Sequence, residues 1–309
     1  MACCNVCLRD IFSAKDQVTV MDVKTNETKT SLIMEGGAMR GLFTCGIIDV
    51  FMENGISFDA AAGISAGAIF GTNYKSGQIG RPLRYNVRFS KDPRYGSIRS
   101  WLKTGDLYDV DFCYREIPDV LDPFDRKSFA ENPMIFYIGA TDVETGKPVY
   151  HKCSDGGDID MQWIRASASL PGVSRPVTIE GRTLLDGGIS DSVPFEFMES
   201  IGYNRNVIIL TQPKGYRKTK SKLVLFMKMM LRKYPNVYRA IVTRYEMYNR
   251  QMDEIDKRET EGTALVLRPE EALGISRTES DPSELERVYK MGREVGEKAL
   301  PRVKDFLVK

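Results

Sequence analysis

Apolar runs alternate with amphipathic stretches along the chain between residues 30 and 212. Three of these runs are apolar throughout, at residues 32–34, 134–138 and 207–210. Such runs are typical of strands that are covered on both faces of a parallel sheet. The first run leads through a glycine-rich turn into a predicted helix that stops at Asn54-Gly55, and its apolar side chains share one face: Leu42, Ile47, Ile48 and Phe51.

Further stretches extend this alternation. The small residues of 58–62 predict a strand, and residues 66–75 predict a helix that ends near Gly77. Residues 183–185 predict a strand that leads into Asp186. Strands that alternate with helices indicate an α/β fold with a mostly parallel sheet.

The pattern changes after Gly215. Residues 216–257 predict two helices separated near Pro235, residues 264–267 a strand, and residues 282–308 a helix pair or one kinked helix. We therefore predict three parts: a peripheral segment 1–29, an α/β domain 30–215, and a helical extension 216–309 that packs on the same domain.

Composition is ordinary for a globular protein, with 42% hydrophobic and 28% charged residues. The net charge of +2 gives no reason to expect a nucleic-acid partner. No apolar run approaches the roughly 20 residues of a membrane-spanning helix. Charged residues at positions 9, 10, 15 and 16 occupy the place of a signal peptide's apolar stretch, so we expect a cytoplasmic protein.

Cys3, Cys4 and Cys7 form the one cysteine cluster in the sequence. Three interpretations are open for this cluster: one half of a metal site, a lipidation site or a set of redox-active thiols. No second Cys/His cluster completes a zinc site, so free thiols are the simpler interpretation and no metal is expected.

Residues 63–67, with the sequence GISAG, have the pattern G-x-S-x-G between a predicted strand and a predicted helix. On such a sharp turn, Gly63 and Gly67 leave room where the two elements nearly touch, and Ser65 lies at the helix N-terminus. That position favours the negative charge that develops in acyl transfer. Ser65 is therefore a candidate nucleophile, although a serine that only caps a closely packed helix gives the same pattern.

A second glycine-rich turn spans residues 35–41, between the first predicted strand and helix. Leu42-Phe43 stands where a nucleotide phosphate loop needs Lys-Ser/Thr, and the pattern G-x-G-x-x-G is absent. Two interpretations remain: an oxyanion hole built from backbone amides, or a turn with only a packing role.

Asp186-Gly187-Gly188 is a candidate for the base that activates a serine. An aspartate with its ordinary pKa of about 3.9 is a feeble base unless burial raises that pKa, and the apolar run before Asp186 would supply the burial. A tight Asp-Gly hairpin turn is the alternative. His151, the only histidine, precedes Asp186, whereas Ser-His-Asp hydrolases with this elbow place histidine last, so we expect a surface or structural role for it.

Three motifs in this order resemble the patatin-like phospholipases: GGAMRG at 36–41, GISAG at 63–67 and DGG at 186–188. The sequence ASASLPG at 166–172 is similar to the family as well, and the resemblance covers roughly residues 30–212. It implies a three-layer α/β/α fold and a Ser–Asp dyad that generally needs no metal or cofactor in the small members.

The resemblance also implies a role for each matching residue. Ser65 would be the nucleophile and Asp186 the base. Gly36, Gly37 and Ala38 would supply oxyanion-hole amides, with Arg40 close to the same loop. The family has glycine where this chain has Ala38, and the extra methyl is expected to be tolerated if the φ of Ala38 is below zero.

Two segments are rich in basic residues. Residues 79–105 carry seven Lys or Arg against Asp92, and residues 214–250 carry eleven against Glu246, interleaved with Met, Tyr, Phe226 and Leu223. A basic amphipathic helix of this kind is typical of binding to an anionic membrane, although a solvated basic face gives the same pattern. We expect these segments to make peripheral contact with a membrane.

The leading hypothesis is a lipid acyl ester hydrolase of the phospholipase A or lysophospholipase type, acting on a lipid or phospholipid. The alternative is a catalytically inactive lipid-binding or scaffold protein on the same fold. A nucleotide-binding protein is a weaker alternative because both phosphate-loop patterns fail. The head group, the sn position, the chain length and the oligomeric state do not follow from the sequence.

Overall fold

A mixed sheet of eight strands forms the centre of the computed structural model, which describes residues 28–222 and 224–308. The strands are β1 (Thr30–Met34), β2 (Ala60–Ile64), β3 (Ile135–Asp142), β4 (Pro148–Lys152), β5 (Val177–Ile179), β6 (Arg182–Asp186), β7 (Arg205–Ile209) and β8 (Ala264–Leu267). Their order is β5-β6-β3-β2-β1-β7-β8, and β4 pairs with β3. Five neighbouring strands in this order run parallel to one another: β3, β2, β1, β7 and β8. The other three strands, β4, β5 and β6, form antiparallel pairs.

Helices cover the sheet and follow most of its strands. They are α1 (Gly41–Glu53), α2 (Ala66–Lys75), α3 (Arg81–Phe89), α4 (Ile98–Thr104), α5 (Arg126–Glu131), α6 (Asp158–Ser167), α7 (Phe195–Ser200), α8 (Val224–Met230), α9 (Pro235–Glu261) and α10 (Pro282–Val308). A π-helical segment, Phe112–Leu121, lies between α4 and α5.

Side chains alternate along the central strands and so build two apolar layers. Leu32 and Met34 of β1 belong to a cluster with residues of α1, α2 and α10, whereas Ile33 between them belongs to a cluster with residues of α7 and α9. Because a strand turns successive side chains to opposite faces, this division places helices on both sides of the sheet. The predicted three-layer α/β/α fold with a mostly parallel sheet is confirmed.

The C-terminal part of the chain adds both a strand and helices to this arrangement. β8 pairs in parallel with β7, and α10 packs along α1. The contact between the two helices is close, because a Cβ built on Gly292 would lie 2.0 Å from the carbonyl oxygen of Phe43. The terminal segment is one helix rather than a pair, with Pro301 inside it.

Several predicted element boundaries differ from those observed. The strand predicted at 58–62 is β2 at 60–64, so the strand includes Gly63 and reaches Ser65 directly. The strand predicted at 134–138 continues to Asp142, because its second half pairs with both β4 and β6. The cysteine cluster at 3–7 and Leu223 lie outside the described residues.

Candidate active site

Ser65 lies in a tight turn between β2 and α2. Its φ of 54° and ψ of −119° are unusual for a residue with a side chain. A Cβ on Gly63 would lie 2.3 Å from the carbonyl oxygen of Gly67, and one on Gly67 would lie 2.3 Å from that of Met34. Glycine at both positions is therefore required by the close approach of strand, helix and neighbouring strand.

The backbone of Ser65 is anchored by a second serine. The N–H of Ser65 donates to Oγ of Ser167 (2.8 Å), and that hydroxyl donates to the carbonyl of Gly139 in β3 (2.6 Å). Ser167 is the last residue of α6, in the segment that resembled the family. These two bonds hold the turn in its strained conformation, a role that the sequence did not reveal.

Asp186 ends β6 beside this turn. The Oγ of Ser65 donates to Oδ2 of Asp186 (2.8 Å), although 121 residues separate them in sequence. The other oxygen, Oδ1, accepts from the N–H of Gly188 (2.8 Å). The two residues singled out from the sequence are thus within hydrogen-bonding distance.

The carboxyl of Asp186 is almost completely buried, and its surroundings act on its pKa in opposite directions. Burial is the largest influence and raises the pKa, while the charge of Arg244 and the hydrogen bond from Ser65 lower it. The net pKa is above the ordinary value. A carboxylate in this state is a better proton acceptor than one exposed to water.

The glycine-rich loop after β1 lies against Ser65. A Cβ on Gly36 would lie 2.9 Å from the Cβ of Ser65, so no larger residue fits there. The N–H groups of Gly36, Gly37 and Ala38 have no hydrogen-bond acceptor in the described part of the chain. Backbone amides that are free and adjacent to a hydroxyl are the groups from which an oxyanion hole is built.

Two details of this loop differ from expectation. The methyl of Ala38 was expected to be tolerated if the φ of this residue is below zero, but its φ is 50°. Ala38 therefore holds a conformation that glycine adopts more easily. The N–H of Arg40 donates to the carbonyl of Gly37 (3.2 Å) and is not available to a ligand. Any contribution of Arg40 must come from its side chain.

The first turn of α2 offers further donors. The N–H of Ala66 and that of Gly67 have no acceptor within their own helix, because they belong to its first turn. Ala66 directly follows Ser65, which is the position that supplies an oxyanion-hole amide in hydrolases with this elbow. The signal for this donor is the residue after the serine in the motif GISAG.

An apolar cavity of about 270 Å³ opens beside Ser65. Its walls come mainly from aliphatic and aromatic side chains, among them Met39, Ile69, Phe70, Tyr108, Leu170 and Val173. A cavity with such a lining and a hydroxyl at its edge fits an acyl chain with its ester at Ser65.

Arg244 of α9 was not among the sequence candidates, yet it lies beside the dyad. Its Nε donates to the carbonyl of Gly188 (2.5 Å). A Cβ on Gly188 would lie 3.1 Å from both Nη2 of Arg244 and Oδ1 of Asp186. The guanidinium is therefore a neighbour of the carboxylate, which explains its effect on the pKa of Asp186.

His151 has a different environment from the dyad. Its Nε2 lies 2.6 Å from Oδ1 of Asp160, and its ring stacks on Trp163. With Cys153 and Asp160 it forms the one trio of potential metal ligands found within residues 28–222 and 224–308, with ligand atoms within 4.8 Å of one another. However, Oδ2 of Asp160 already accepts three backbone N–H groups, so this carboxylate is used by the protein itself.

Comparison with known proteins gives two family matches. A model described as patatin-like phospholipase matches residues 32–198, which contain the Ser65 turn, the glycine-rich loop and Asp186. A second model, described as a domain of unknown function (DUF6363), matches residues 234–308.

Several curated proteins are similar to parts of the chain. An uncharacterised protein of Escherichia coli strain K12, YjjU, is 30% identical over 191 residues, which are 60% of this chain and 52% of that protein. Lysophospholipase nte1 of Aspergillus fumigatus is 29% identical over 175 residues, 55% of this chain and 11% of that protein. An uncharacterised NTE family protein of Mycobacterium tuberculosis is 25% identical over 170 residues, 55% of this chain and 45% of that protein.

The matched stretch therefore spans about half of these relatives' length or less. Among solved structures, VipD from Legionella pneumophila aligns with a TM-score of 0.45 and 12% identity over 89% of this chain and 67% of that chain.

Proposed function

Because the chain belongs to the patatin-like phospholipase family, we propose that it hydrolyses lipid acyl esters through a Ser65–Asp186 dyad. The proposal is a phospholipase A or lysophospholipase activity. The observation that carries it is the 2.8 Å hydrogen bond from Oγ of Ser65 to Oδ2 of Asp186 at the edge of an apolar cavity.

In the first half of the proposed reaction, Oγ of Ser65 attacks the ester carbonyl while Oδ2 of Asp186 accepts the hydroxyl proton. The proton then passes to the leaving alcohol oxygen, and the acyl group stays on Ser65. In the second half, Asp186 accepts a proton from a water molecule that attacks the acyl-serine. Collapse of the intermediate returns the proton to Ser65 and releases the fatty acid.

Negative charge on the carbonyl oxygen is the main obstacle in both halves. The loop that carries the free N–H groups of Gly36, Gly37 and Ala38 lies against Ser65 at Gly36, and the N–H of Ala66 follows the serine in the chain. Fixed amides in a site shielded from water stabilise such an oxyanion strongly, and the loss of one donor typically costs about 10²–10³ in rate.

The proposal includes docking on an anionic membrane surface. Exposed apolar side chains of α4 and α8 form what we call the apolar patch: Ile98, Trp101, Leu102, Phe226, Met229 and Met230. Both helices contact the same loop, since Nε1 of Trp101 donates to the carbonyl of Gly172 (2.9 Å) and Met230 lies 3.2 Å from the position of a Cβ on Gly172. This loop continues into the cavity wall at Leu170 and Val173.

Basic side chains accompany the apolar patch. Five exposed residues of α4, α8 and the turn after α8 have no ion pair among the described residues: Arg99, Lys103, Lys228, Arg232 and Lys233. No helix in residues 28–222 and 224–308 combines the length and the apolar character needed to cross a bilayer. An apolar surface surrounded by cations is suited to an anionic bilayer interface.

Both basic segments contribute less charge to this surface than their sequences suggest. In residues 79–105, Arg81 and Arg84 pair with Asp122, and Arg94 pairs with Asp92 and Glu116. In residues 214–250, three more basic residues pair with carboxylates of other elements: Lys214, Arg217 and Arg250. The docking proposal therefore rests on α4 and α8 rather than on the whole segments.

Substitution of the dyad tests the proposed reaction. Ser65→Ala removes the nucleophile and Asp186→Asn removes the base, so each should lower kcat for a p-nitrophenyl acyl ester by at least about 10³-fold. Ser76→Ala, at the other end of α2, is the matched control and should keep wild-type activity. Circular dichroism of each variant checks that the fold is retained.

Labelling by a fluorophosphonate probe gives an independent test, because the probe reacts with an activated serine. Wild-type protein should be labelled at Ser65, and Ser65→Ala should not be labelled. An active Ser65→Ala enzyme, or a wild-type protein that is neither labelled nor active, would contradict the proposal and favour a lipid-binding role without catalysis.

A further inference from the structure

Four basic side chains act electrostatically on one another, and two of them, Arg244 and Arg277, also act on Asp186. Three of the four come from the part of the chain beyond the patatin-like match. The four are Arg40 after β1, Lys218 before α8, Arg244 of α9 and Arg277 before α10. Lys218 and Arg244 each interact electrostatically with the other three. Like charges gathered in this way repel one another, so the cluster needs a physical reason.

Contacts place Arg244 beside the dyad and Arg277 at the cavity. Arg244 donates to the carbonyl of Gly188, next to Asp186. Arg277 lines the same cavity as Ser65. The Nζ of Lys218 lies 3.3 Å from the ring centroid of Tyr248, which holds the ammonium by a cation–π contact without neutralising it.

Carboxylates do not balance this charge. None of the four cations forms an ion pair within 4.0 Å in the described part of the chain, and the Nε of Arg40 is buried without a hydrogen-bond partner. Glu35 and Asp186 are the two acidic groups that act on the cluster. Glu35 is already bound to the N–H (2.6 Å) and the hydroxyl (3.1 Å) of Thr211.

Four cations against two carboxylates leave up to two positive charges unbalanced. Arg40, Lys218 and Arg244 are half-buried, whereas Arg277 is exposed. Burial and the neighbouring Arg244 lower the pKa of Lys218 well below its ordinary value. A bound anion would reverse this effect and favour the charged ammonium. Surplus cations that are partly desolvated are characteristic of sites for phosphate groups.

We propose that Lys218, Arg244 and Arg277 bind the phosphate of a single-chain phospholipid whose acyl ester lies at Ser65. This inference rests on the proposed esterase function and adds the head-group site to it. The cavity of about 270 Å³ is at the small end of ligand pockets, which span about 300–1,000 Å³, and for this reason the proposal names a lipid with one acyl chain.

A pair of substrates that differ only in the phosphate tests the site. 1-Lauroylglycerol 3-phosphate and 1-lauroylglycerol carry the same acyl ester and the same chain. Lys218→Gln and Arg277→Gln should each lower the ratio of kcat/KM for the phosphate lipid to that for the neutral lipid by about 10–100-fold, since a charge-assisted hydrogen bond contributes about 1.5–3 kcal/mol.

Lys220→Gln is the matched control. Lys220 is exposed, carries the same charge and lies two residues from Lys218, so its loss should change the ratio less than about twofold. An unchanged ratio in Lys218→Gln and Arg277→Gln, or an equal fall in Lys220→Gln, would overturn the inference.

A binding measurement separates the inference from the proposed function. Dodecyl phosphate contains no ester, and isothermal titration calorimetry below its critical micelle concentration reports binding without turnover. Binding of dodecyl phosphate that weakens at least about tenfold in Lys218→Gln would support the phosphate site. This result would stand even if the wild-type protein hydrolysed neither lipid, because the absence of hydrolysis would disprove only the esterase activity. Glycerol 3-phosphate that binds as tightly as dodecyl phosphate would assign the site to a soluble phosphate and overturn the lipid assignment.

Discussion

Ser65 has a backbone conformation that residues with side chains rarely adopt, with φ at 54°. Such strain costs about 1–3 kcal/mol and persists only when the surroundings hold it. Here Gly63 and Gly67 make room for the turn, and Ser167 anchors its N–H. The rest of the fold therefore holds the hydroxyl toward Asp186 against the preference of its own backbone.

The charge of Arg244 should determine how the proposed activity depends on pH. Asp186 must be deprotonated to accept a proton, so kcat/KM should fall as the pH drops through its raised pKa. Arg244 lowers that pKa, and Arg244→Gln should raise it and move the acid limb of the profile of kcat/KM against pH to higher pH.

The same profile measured for Arg244→Lys supplies the control, because this variant keeps the positive charge. The acid limb of the Arg244→Lys profile should lie closer to the wild-type limb than the acid limb of the Arg244→Gln profile does. An acid limb that is the same in all three proteins would show that Arg244 has only a structural role.

Sequence motifs singled out Ser65, Asp186 and Arg40, but not the three cations that the rest of the chain brings beside them. Ser65 and Asp186 lie in short patterns whose glycines are required by local backbone geometry. Arg244 is 56 residues from Gly188 and Lys218 is on an irregular segment, so only the tertiary fold brings them to the dyad. No local pattern distinguishes them from the other basic residues of 214–250.

At the level of elements, periodicity predicted which segments are strands and helices better than it predicted where they end. Two boundaries with strong local signals agree with the structure: α1 ends with Asn54 as its C-cap, and α9 begins at Pro235, near which two helices were predicted to separate. β3 runs four residues beyond its predicted end, because antiparallel partners pair with residues that are not part of the apolar run. Strand ends depend on neighbours that the local sequence does not contain.

The contact between α1 and α10 gives a prediction about stability. Gly292→Ala would place a methyl 2.0 Å from the carbonyl oxygen of Phe43, whereas Gly296→Ala would meet the Cα of Ile47 at 3.2 Å. Overpacking of a close contact costs about 1–3 kcal/mol, so Gly292→Ala should lower the free energy of unfolding by more than Gly296→Ala. Urea denaturation followed by circular dichroism measures both.

The direction of the effect is informative, because alanine stabilises an unconstrained helix by about 1 kcal/mol relative to glycine. A Gly292→Ala variant as stable as the wild type, or more stable, would mean that the two helices do not approach as closely as described.

At the scale of the whole molecule, the apolar patch lies beside the cavity, and we expect it to control binding to membranes. Leu102 and Met229 are 73% and 72% exposed. Burial of such a side chain contributes about 1.5–3 kcal/mol, so Leu102→Asp or Met229→Asp should weaken binding to anionic phosphatidylglycerol vesicles by at least about tenfold. Vesicle sedimentation measures the bound fraction.

Ile201 offers a matched control for the apolar patch. It is also an exposed apolar residue, but it lies before the start of β7, at the opposite edge of the sheet from Ser65. Ile201→Asp should therefore leave vesicle binding unchanged. Equal binding of the wild type to neutral and anionic vesicles, or equal losses in all three variants, would contradict the proposed docking surface.

The unbalanced cations have a consequence for the end of the proposed reaction. Ester cleavage converts an uncharged acyl group into a fatty-acid anion, which is then left near Arg244 and Arg277 in a cavity that fits its tail. Electrostatic attraction would retain this product and compete with the next substrate molecule. A bilayer held against the cavity by α4 and α8 would accept the freed tail, so membrane attachment would speed product departure as well as substrate entry.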